Sequence, residues 1–403
     1  MEAKLISKLM ELNNLAFKTS ELYMKKRFLF TTLEKELKSK TITILAGPRG
    51  VGKTILLKQL LAHDSGSFYL SVDQIHSGES LFEIAKYLQL NYKIKFLILD
   101  EIHYNHDYAV DLKSIYDFLQ IKVFVTSSIA LKLEALSVDL SRRAHLFHLS
   151  PFSFREFIFF ETGTLIDPLS FSDLLKRLWT VDHLKFAHLF QEFLSGRLYP
   201  FTLEEKNYED LFRNILIKII KVDLPQIGRL TSEDCLQIEK LFTFIGRSES
   251  EGVNVSSLSK NLGITKYKIE EYLQLLTQAY LLHIIYPKGT NVTREPKILM
   301  ALPYRLLFKD YLMAIGSLRE EFVVESLRSQ GVLTINYLKS TRGAKTPDFV
   351  IEDAKGKEIV IEVGGKGKGR SQFKGINIKD KYVFVDSLQW KETQYPLFLI
   401  GML

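Results

Sequence analysis

The chain has 403 residues, a formal net charge of +7 and one cysteine, and at ~150 residues per domain it is predicted to contain about two to four domains. The hydrophobic fraction of 46% and the charged fraction of 25% are those of an ordinary globular protein and exclude wholesale disorder. The single Cys235 excludes an internal disulfide and a zinc site built on several cysteines. Since no apolar run approaches the ~18 residues of a membrane span and the start lacks the apolar core of a secretory signal, we expect a cytoplasmic protein with no membrane partner.

The first part of the chain alternates helices and strands. Leucine and phenylalanine at helical spacing predict two helices within residues 1–40. Strand Thr41–Ala46, a glycine-rich turn and helix Thr54–Ala62 follow. The alternation continues with strands Phe68–Val72, Phe96–Leu99, Val123–Thr126 and His145–Leu149, and with helices Leu81–Leu88 and Ala109–Phe118. This order predicts an α/β fold with a parallel sheet that helices cover on both faces.

The middle of the chain reads as helical. Prolines separate four predicted helices, Phe154–Thr162, Phe171–Leu178, Leu184–Leu194 and Leu211–Ile220. A helix-turn-helix pattern begins at Val255, with Gly263 in the turn and Thr265 as the cap of a second helix. Segments Tyr280–Tyr286 and Lys297–Leu302 are predicted to form a wing. The interpretation is a winged helix, used either for packing between domains or for binding DNA.

The last part of the chain returns to mixed structure. Helix Leu318–Ser329 precedes four predicted strands, Leu333–Leu338, Asp348–Ile351, Glu358–Val363 and Tyr382–Val385. From Lys339 to Lys381 there are eleven basic and six acidic residues, so this stretch contributes +5 of the net +7. A basic domain of this kind is suited to a phosphate backbone, and we predict DNA as its partner.

A phosphate-binding motif follows the first strand. Its residues fit the pattern G-x-x-x-x-G-K-[ST]: Gly47, Pro48, Arg49, Gly50, Val51, Gly52, Lys53 and Thr54. The glycines let backbone N–H groups surround a phosphate at the start of a helix. Lys53 is predicted to reach the β- and γ-phosphates and Thr54 to bind Mg²⁺. An apolar strand before the motif and an apolar helix after it support a genuine phosphate-binding loop, or P-loop.

Two acids end the strand that begins at Phe96. Asp100 is predicted to hold Mg²⁺ through water, and Glu101 to activate the attacking water as a catalytic base. A base at this position predicts hydrolysis of the nucleotide as well as binding. Ser128, after strand Val123–Thr126, is a candidate contact to the γ-phosphate, and Arg143 is a candidate arginine finger, acting in cis or in trans.

The set of motifs along the chain resembles that of the AAA-type ATPases of archaea and bacteria that are allied to the STAND ATPases. The resemblance covers essentially the whole chain and rests on Arg27–Leu29, Gly47–Thr54, Leu99–Tyr104, Thr126–Ser128, Arg143 and the run Pro151–Phe157. It implies ATP as the nucleotide and assigns Arg143 a finger or sensor role. Ser127 and Arg142 stand where the family usually has glycine.

The C-terminal segment resembles the PD-(D/E)xK nuclease fold, in which two carboxylates on neighbouring strands hold Mg²⁺ and a lysine activates water. Asp348 and Glu362 fit the carboxylates, and Glu320 lies on the preceding helix. The usual lysine position holds Gly364, and Lys366 is the nearest candidate, on the same face if the strand continues through the glycines. The favoured interpretation is a nuclease-like domain that binds without cleaving, with active cleavage as the alternative.

These inferences predict four regions: an ATPase domain with N-terminal helices (1–155), a helical lid (156–245), a winged helix (246–312) and a nuclease-like domain (313–403). We expect an Mg²⁺-dependent ATPase that couples its nucleotide state to DNA binding or processing. The alternatives are a STAND-like signalling switch that assembles with ATP and a DNA-binding regulator without significant turnover. A homo-oligomer is left open.

Overall fold

The structure is a computed structural model that describes residues 3–62, 66–75, 79–105, 107–127, 136–249, 253–289, 295–332, 334–339, 346–353 and 355–403. The chain divides into two compact units, Met1–Pro151 and Phe152–Leu403. No helix in the described ranges is long and apolar enough to cross a membrane.

Five α-helices and five strands of the first unit have both ends within the described residues. The helices are α1 Ala3–Leu22, α2 Phe30–Glu36, α3 Lys53–Leu61, α4 Leu81–Tyr92 and α5 Tyr108–Phe118. The strands are β1 Ile42–Ala46, β2 Ser67–Ser71, β3 Phe96–Asp100, β4 Lys122–Thr126 and β5 Ala144–His148. Each predicted strand in this part of the chain is thereby confirmed, with bounds that shift by one or two residues.

The five strands form one parallel sheet in the order β2-β3-β4-β1-β5. Strands β1, β3 and β4 are almost wholly buried, as expected for a sheet covered on both faces. Because all strands run in one direction, the turn after β1, the acids at the end of β3 and the residues after β4 share one edge. This edge is the carboxyl edge of the sheet.

The second unit begins with helices and ends with a mixed sheet. Its helices are α6 Phe154–Thr162, α7 Phe171–Leu175, α8 Val181–Lys185, α9 Phe190–Leu194, α10 Tyr208–Lys218, α11 Leu224–Gly228, α12 Ser232–Arg247, α13 Val255–Leu262, α14 Lys266–Gln278 and α15 Tyr311–Ser329. Its strands are β6 Leu282–Pro287, β7 Lys297–Met300, β8 Ile335–Tyr337, β9 Phe349–Glu352, β10 Glu358–Gly365, β11 Asp380–Asp386 and β12 Gln394–Pro396. Strand β12 has no counterpart in the sequence analysis.

Helices α13 and α14 meet through the predicted turn. Gly263 adopts a left-handed backbone with φ 68°, and the Thr265 side chain accepts a hydrogen bond from the backbone N–H of Lys268. Strands β6 and β7 then form an antiparallel hairpin. Because β6 also pairs in parallel with β8, the hairpin joins a seven-stranded sheet in the order β12-β11-β10-β9-β8-β6-β7. Strand pairing therefore crosses the boundary predicted between residues 312 and 313.

Candidate active site

The backbone of the P-loop depends on glycine at three positions. Gly50 and Gly52 have φ of 83° and 92°, in the left-handed region that favours glycine. At Gly47, an added Cβ would lie 2.2 Å from the carbonyl oxygen of Leu149. Any side chain at Gly47 would therefore push the loop away from the chain that follows β5.

Lys53 and Thr54 open helix α3 directly after this loop. The buried Lys53 donates from Nζ to the carbonyl oxygens of Gly47 and Pro48 at 2.7 and 2.8 Å. The ammonium group is therefore held over the loop, next to the backbone N–H groups at the start of α3. This arrangement is suited to the phosphates of a nucleotide.

Arg27, before α2, supports the loop from outside. Its buried guanidinium donates to the carbonyl oxygen of Val51 and, at 2.8 Å, to that of Ser150. The P-loop is thereby tied to the segment after β5. In the sequence, Arg27 contributed only to the family resemblance, since nothing in the pattern indicates which carbonyl groups it contacts.

Asp100 lies at the end of β3 beside Thr54. Thr54 Oγ1 donates to Asp100 Oδ2 at 2.8 Å, and the hydroxyl of Tyr69 on β2 donates to the same oxygen at 2.6 Å. Burial raises the pKa of Asp100 above its usual value, while the hydrogen bond from Tyr69 opposes that rise. The second oxygen, Oδ1, is buried with no hydrogen-bond partner in the described part of the chain.

These oxygens fit Mg²⁺. A carboxylate oxygen without a partner and a threonine hydroxyl are hard oxygen ligands, and they lie together at the P-loop. Among the described residues, no group of three or more His, Cys, Asp or Glu side chains is arranged to hold a metal ion. A site with one carboxylate agrees with this, because Mg²⁺ is usually bound by one or two carboxylates together with substrate phosphates.

Glu101 occupies a strained position next to Asp100. Its backbone is left-handed, with φ 53° and ψ 49°, which costs roughly 1–2 kcal/mol for a residue other than glycine. Its carboxylate lies between Arg49 NH1, 3.8 Å from Oε1, and His103 Nδ1, 3.3 Å from Oε2. The buried His103 Nδ1 is also 2.8 Å from Ser127 Oγ, after β4. The carboxylate of Glu101 is thus linked to both the P-loop and, through His103, the end of β4.

The other two candidates of the first unit are Ser128 and Arg143. Ser128 lies outside the described residues. Arg143 precedes β5, and its guanidinium donates to both carboxylate oxygens of Asp117 at 3.0 and 3.1 Å. In the register of β5 on β1, Ala144 pairs with Ile42, so Arg143 lies at the amino edge of the sheet. One strand length therefore separates it from the P-loop, and a role as arginine finger, in cis or in trans, stays a prediction.

In the second unit, the structure brings Asp348 and Glu362 together. Asp348 Oδ2 accepts from the backbone N–H of Val363 at 2.7 Å, and the backbone N–H of Asp348 donates to Glu362 Oε2 at 3.2 Å. Glu320, on α15, contacts Lys297 Nζ on β7 at 2.8 Å. Burial, together with the negative charge of Glu320, raises the pKa of Asp348 to about 7.

The lysine of this cluster is not the predicted one. Strand β10 does continue through Gly364 and Gly365, but Lys366 then enters a turn and donates from Nζ to Gln389 Oε1 at 2.8 Å. Lys368 instead returns over the strand and contacts Glu362 Oε1 at 2.6 Å. An added Cβ on Gly364 would lie 2.6 Å from the Lys368 side chain. The glycine at the usual lysine position therefore leaves the space that Lys368 fills.

The basic segment around this cluster is partly neutralised. Lys339 pairs with Glu295 at 3.0 Å, and Lys357 pairs with Asp380 at 2.9 Å. Five other basic residues are exposed and form no ion pair within the described ranges: Lys355, Lys366, Arg370, Lys374 and Lys379. In the helix-turn-helix, Lys268 is held by Asp234 at 2.6 Å, which leaves Lys266 as the exposed cation at the start of α14.

Sequence reasoning did not identify the contacts of Tyr69, His103 and Lys368. Tyr69 lies within an apolar strand. Its hydroxyl reaches Asp100 because β2 pairs with β3, which the sequence does not reveal. His103 follows the acids by two residues, a spacing that was a usable signal. Lys368 and Lys366 are alternate residues of one glycine-lysine tract, and the turn decides between them.

Comparisons with known proteins agree with this geometry. Residues 39–158 match the family described as AAA domain, so this part of the chain is similar to ATPase domains of that type. Residues 197–301 match a domain of unknown function (DUF8612).

Similar proteins cover most of the chain. The uncharacterized protein MJ1637 of Methanocaldococcus jannaschii is 27% identical over 399 residues, which span 87% of this chain and 83% of that protein. The Aeropyrum pernix ORC1 protein, solved in complex with DNA, is 13% identical, with a TM-score of 0.31 and coverage of 73% of this chain and 92% of that one. The C. elegans protein PCH-2 is 16% identical, with a TM-score of 0.25 and coverage of 68% and 69%.

Proposed function

We propose that the chain is an Mg²⁺-dependent ATPase that couples its nucleotide state to DNA binding or processing. The observation that carries the proposal is the placement of Lys53, Thr54, Asp100 and Glu101 at one edge of the sheet. Each has the chemistry that phosphoryl transfer requires, and the contact between Thr54 and Asp100 joins the P-loop to β3.

In this proposal each residue has a separate task. Lys53 binds phosphate oxygens, and Thr54 with Asp100 holds the metal. Bound Mg²⁺ would neutralise negative charge that develops on the phosphate oxygens. Glu101 accepts the proton of the attacking water, and its contacts with Arg49 and His103 orient its carboxylate.

DNA as the partner is supported by charge. The five exposed basic side chains without an ion pair in the described ranges belong to the segment that contributes +5 of the net charge, and a backbone-binding surface needs such cations. The helix-turn-helix with its hairpin is consistent with a winged helix, but the ion pair between Lys268 and Asp234 limits what α14 offers to phosphates.

An ATPase assay with and without single- and double-stranded DNA tests the proposal. We expect Mg²⁺-dependent turnover that DNA stimulates, and DNA affinity that falls as salt rises. Turnover that ignores DNA, together with assembly that requires ATP, would favour the signalling switch. DNA binding without turnover would favour the regulator, and the oligomeric state measured in parallel tests whether Arg143 can act in trans.

A second candidate function is cleavage of nucleic acid by the cluster around Asp348. The observation that favours it is Lys368, which supplies to Glu362 the lysine that position 364 lacks. Metal-bound carboxylates and a lysine that orients or deprotonates water are the groups that phosphodiester hydrolysis uses.

Two lysine variants separate this candidate from a domain that only binds. We expect Lys368→Ala to reduce Mg²⁺- or Mn²⁺-dependent nicking of plasmid DNA about 100-fold or more, as for loss of a catalytic acid or base. Lys366→Ala, which removes the same charge from the same tract, should leave nicking within about twofold. Plasmid that stays intact with the unsubstituted protein would rule out cleavage and leave the binding interpretation.

A further inference from the structure

The carboxylate of Asp100 accepts a second hydrogen bond, to which the proposed function assigns no role. Asp100 Oδ2 accepts hydrogen bonds from two hydroxyl groups, those of Thr54 and Tyr69. The opposite oxygen, Oδ1, is buried and has no partner within the described ranges. The carboxylate is therefore fixed through one oxygen, and its other oxygen is available to a ligand.

The two donors are not equivalent. Thr54 is itself a predicted Mg²⁺ ligand, because its hydroxyl oxygen has lone pairs for a cation while its proton is donated to Asp100. Tyr69 lies on β2, away from the P-loop, and has no such second task. Tyr69 therefore holds Asp100 Oδ2 from β2, without being a predicted ligand itself.

The position of Tyr69 is itself fixed by the N-terminal helix. The backbone N–H of Tyr69 donates to Asn13 Oδ1 at 2.8 Å, and Asn13 is buried on α1. On its other side, β2 pairs with β3, the strand that carries Asp100. A continuous set of hydrogen bonds therefore runs from α1 through Tyr69 to the carboxylate.

We propose that Tyr69 is a positioning residue of the metal site and that Asn13 keeps it in place. The proposal rests on the proposed Mg²⁺-dependent ATPase function and adds to it the groups that orient Asp100. Partners that orient a metal ligand contribute to affinity without touching the metal, and their loss typically lowers metal affinity by about 10- to 100-fold.

The test compares Tyr69→Phe with the unsubstituted full chain. Binding of a fluorescent ATP analogue is titrated with Mg²⁺ and, separately, measured in EDTA. We expect the Mg²⁺ concentration for half-maximal effect to rise about 10-fold or more, with binding in EDTA unchanged. Because binding in EDTA is measured on the same sample, it corrects for any loss of folded protein.

Two further variants sharpen the test. Tyr87→Phe removes a hydroxyl from α4, which lies apart from Asp100, and should leave the Mg²⁺ titration unchanged. Asn13→Ala should raise the Mg²⁺ requirement in the same direction as Tyr69→Phe. A normal titration in Tyr69→Phe would overturn the proposal. Absence of any Mg²⁺ effect in the unsubstituted protein would instead overturn the proposed function.

Discussion

Glu101→Gln will bind ATP but hydrolyse it at least about 100-fold more slowly than the unsubstituted protein. General-base catalysis by a positioned side chain typically contributes 10²–10⁴-fold, and an amide cannot accept the proton of the attacking water. Glutamine keeps the size of the side chain and one carbonyl oxygen, so the contacts of Lys53 and Thr54 with the P-loop and Asp100 should remain. Single-turnover phosphate release and equilibrium binding of a fluorescent ATP analogue measure the two effects separately.

Two controls make this result specific. Glu83→Gln changes an exposed carboxylate on α4 whose contact is Lys86 at 3.7 Å, and should hydrolyse ATP normally. Lys53→Ala removes the cation over the P-loop and should lose binding as well as turnover. Phosphate release by Glu101→Gln at the normal rate would show that another group activates water.

Linear motifs explain why this site was predictable. The P-loop is contiguous in the sequence. Its glycines indicate a left-handed backbone, which the structure has at Gly50 and Gly52. Asp100 and Glu101 end an apolar run, and a parallel sheet brings the ends of its strands to one edge. Fold class and core site therefore follow from the sequence without knowledge of strand order.

Contacts between separate segments were not predictable in the same way. The hydroxyl of Tyr69 reaches Asp100 only because β2 is the neighbour of β3. The place of Arg143 at the amino edge follows from the register of β5 on β1, which spacing does not report. Lys368 replaces Lys366 at Glu362 because a turn after Gly365 reverses the chain.

The predicted division of the second unit shows a related limit. The sequence predicts a boundary between residues 312 and 313, where a helical pattern gives way to a mixed one. Strand β6, before that point, nevertheless pairs with β8, after it. Helix α15 also carries Glu321, whose carboxylate accepts from the backbone N–H of Met300 on β7 at 3.0 Å. A sequence pattern indicates the local secondary structure, whereas these contacts join segments on both sides of the predicted boundary.

The same helix contributes half of a buried ion pair. Arg305 and Glu321 side chains are 1% and 0% exposed, and Arg305 Nε donates to Glu321 Oε1 at 2.7 Å. Arg305 NH1 lies 3.0 Å from the carbonyl oxygen of Ser248, beyond the end of α12. Burial raises the pKa of Glu321 to about 7, and the guanidinium of Arg305 opposes that rise. The pair therefore links α12, the segment after β7 and α15 in a site without solvent.

Removing one member of this pair should destabilise the second unit by about 3–5 kcal/mol, because the remaining charge is buried without its partner. We expect this for Arg305→Ala and for Glu321→Ala. The double variant Arg305→Met with Glu321→Leu should regain most of that stability, since apolar groups leave no charge uncompensated. Arg319→Ala, on the same helix but in a partly exposed pair with Asp386, should cost only about 0–1 kcal/mol.

Tryptophan fluorescence during urea unfolding measures these differences in the correct unit, because both tryptophans, Trp179 and Trp390, belong to Phe152–Leu403. If the urea concentration at the unfolding midpoint shifts while the dependence of the unfolding free energy on urea stays the same, only the stability has changed. If the free energy of unfolding of Glu321→Ala lies within about 1 kcal/mol of that of the unsubstituted protein, the backbone carbonyl groups are sufficient partners for Arg305. In that case the ion pair is not what links α12, the segment after β7 and α15. If the double variant is as unstable as the single ones, the loss comes from packing and hydrogen bonds, whereas recovery assigns it to the buried charge.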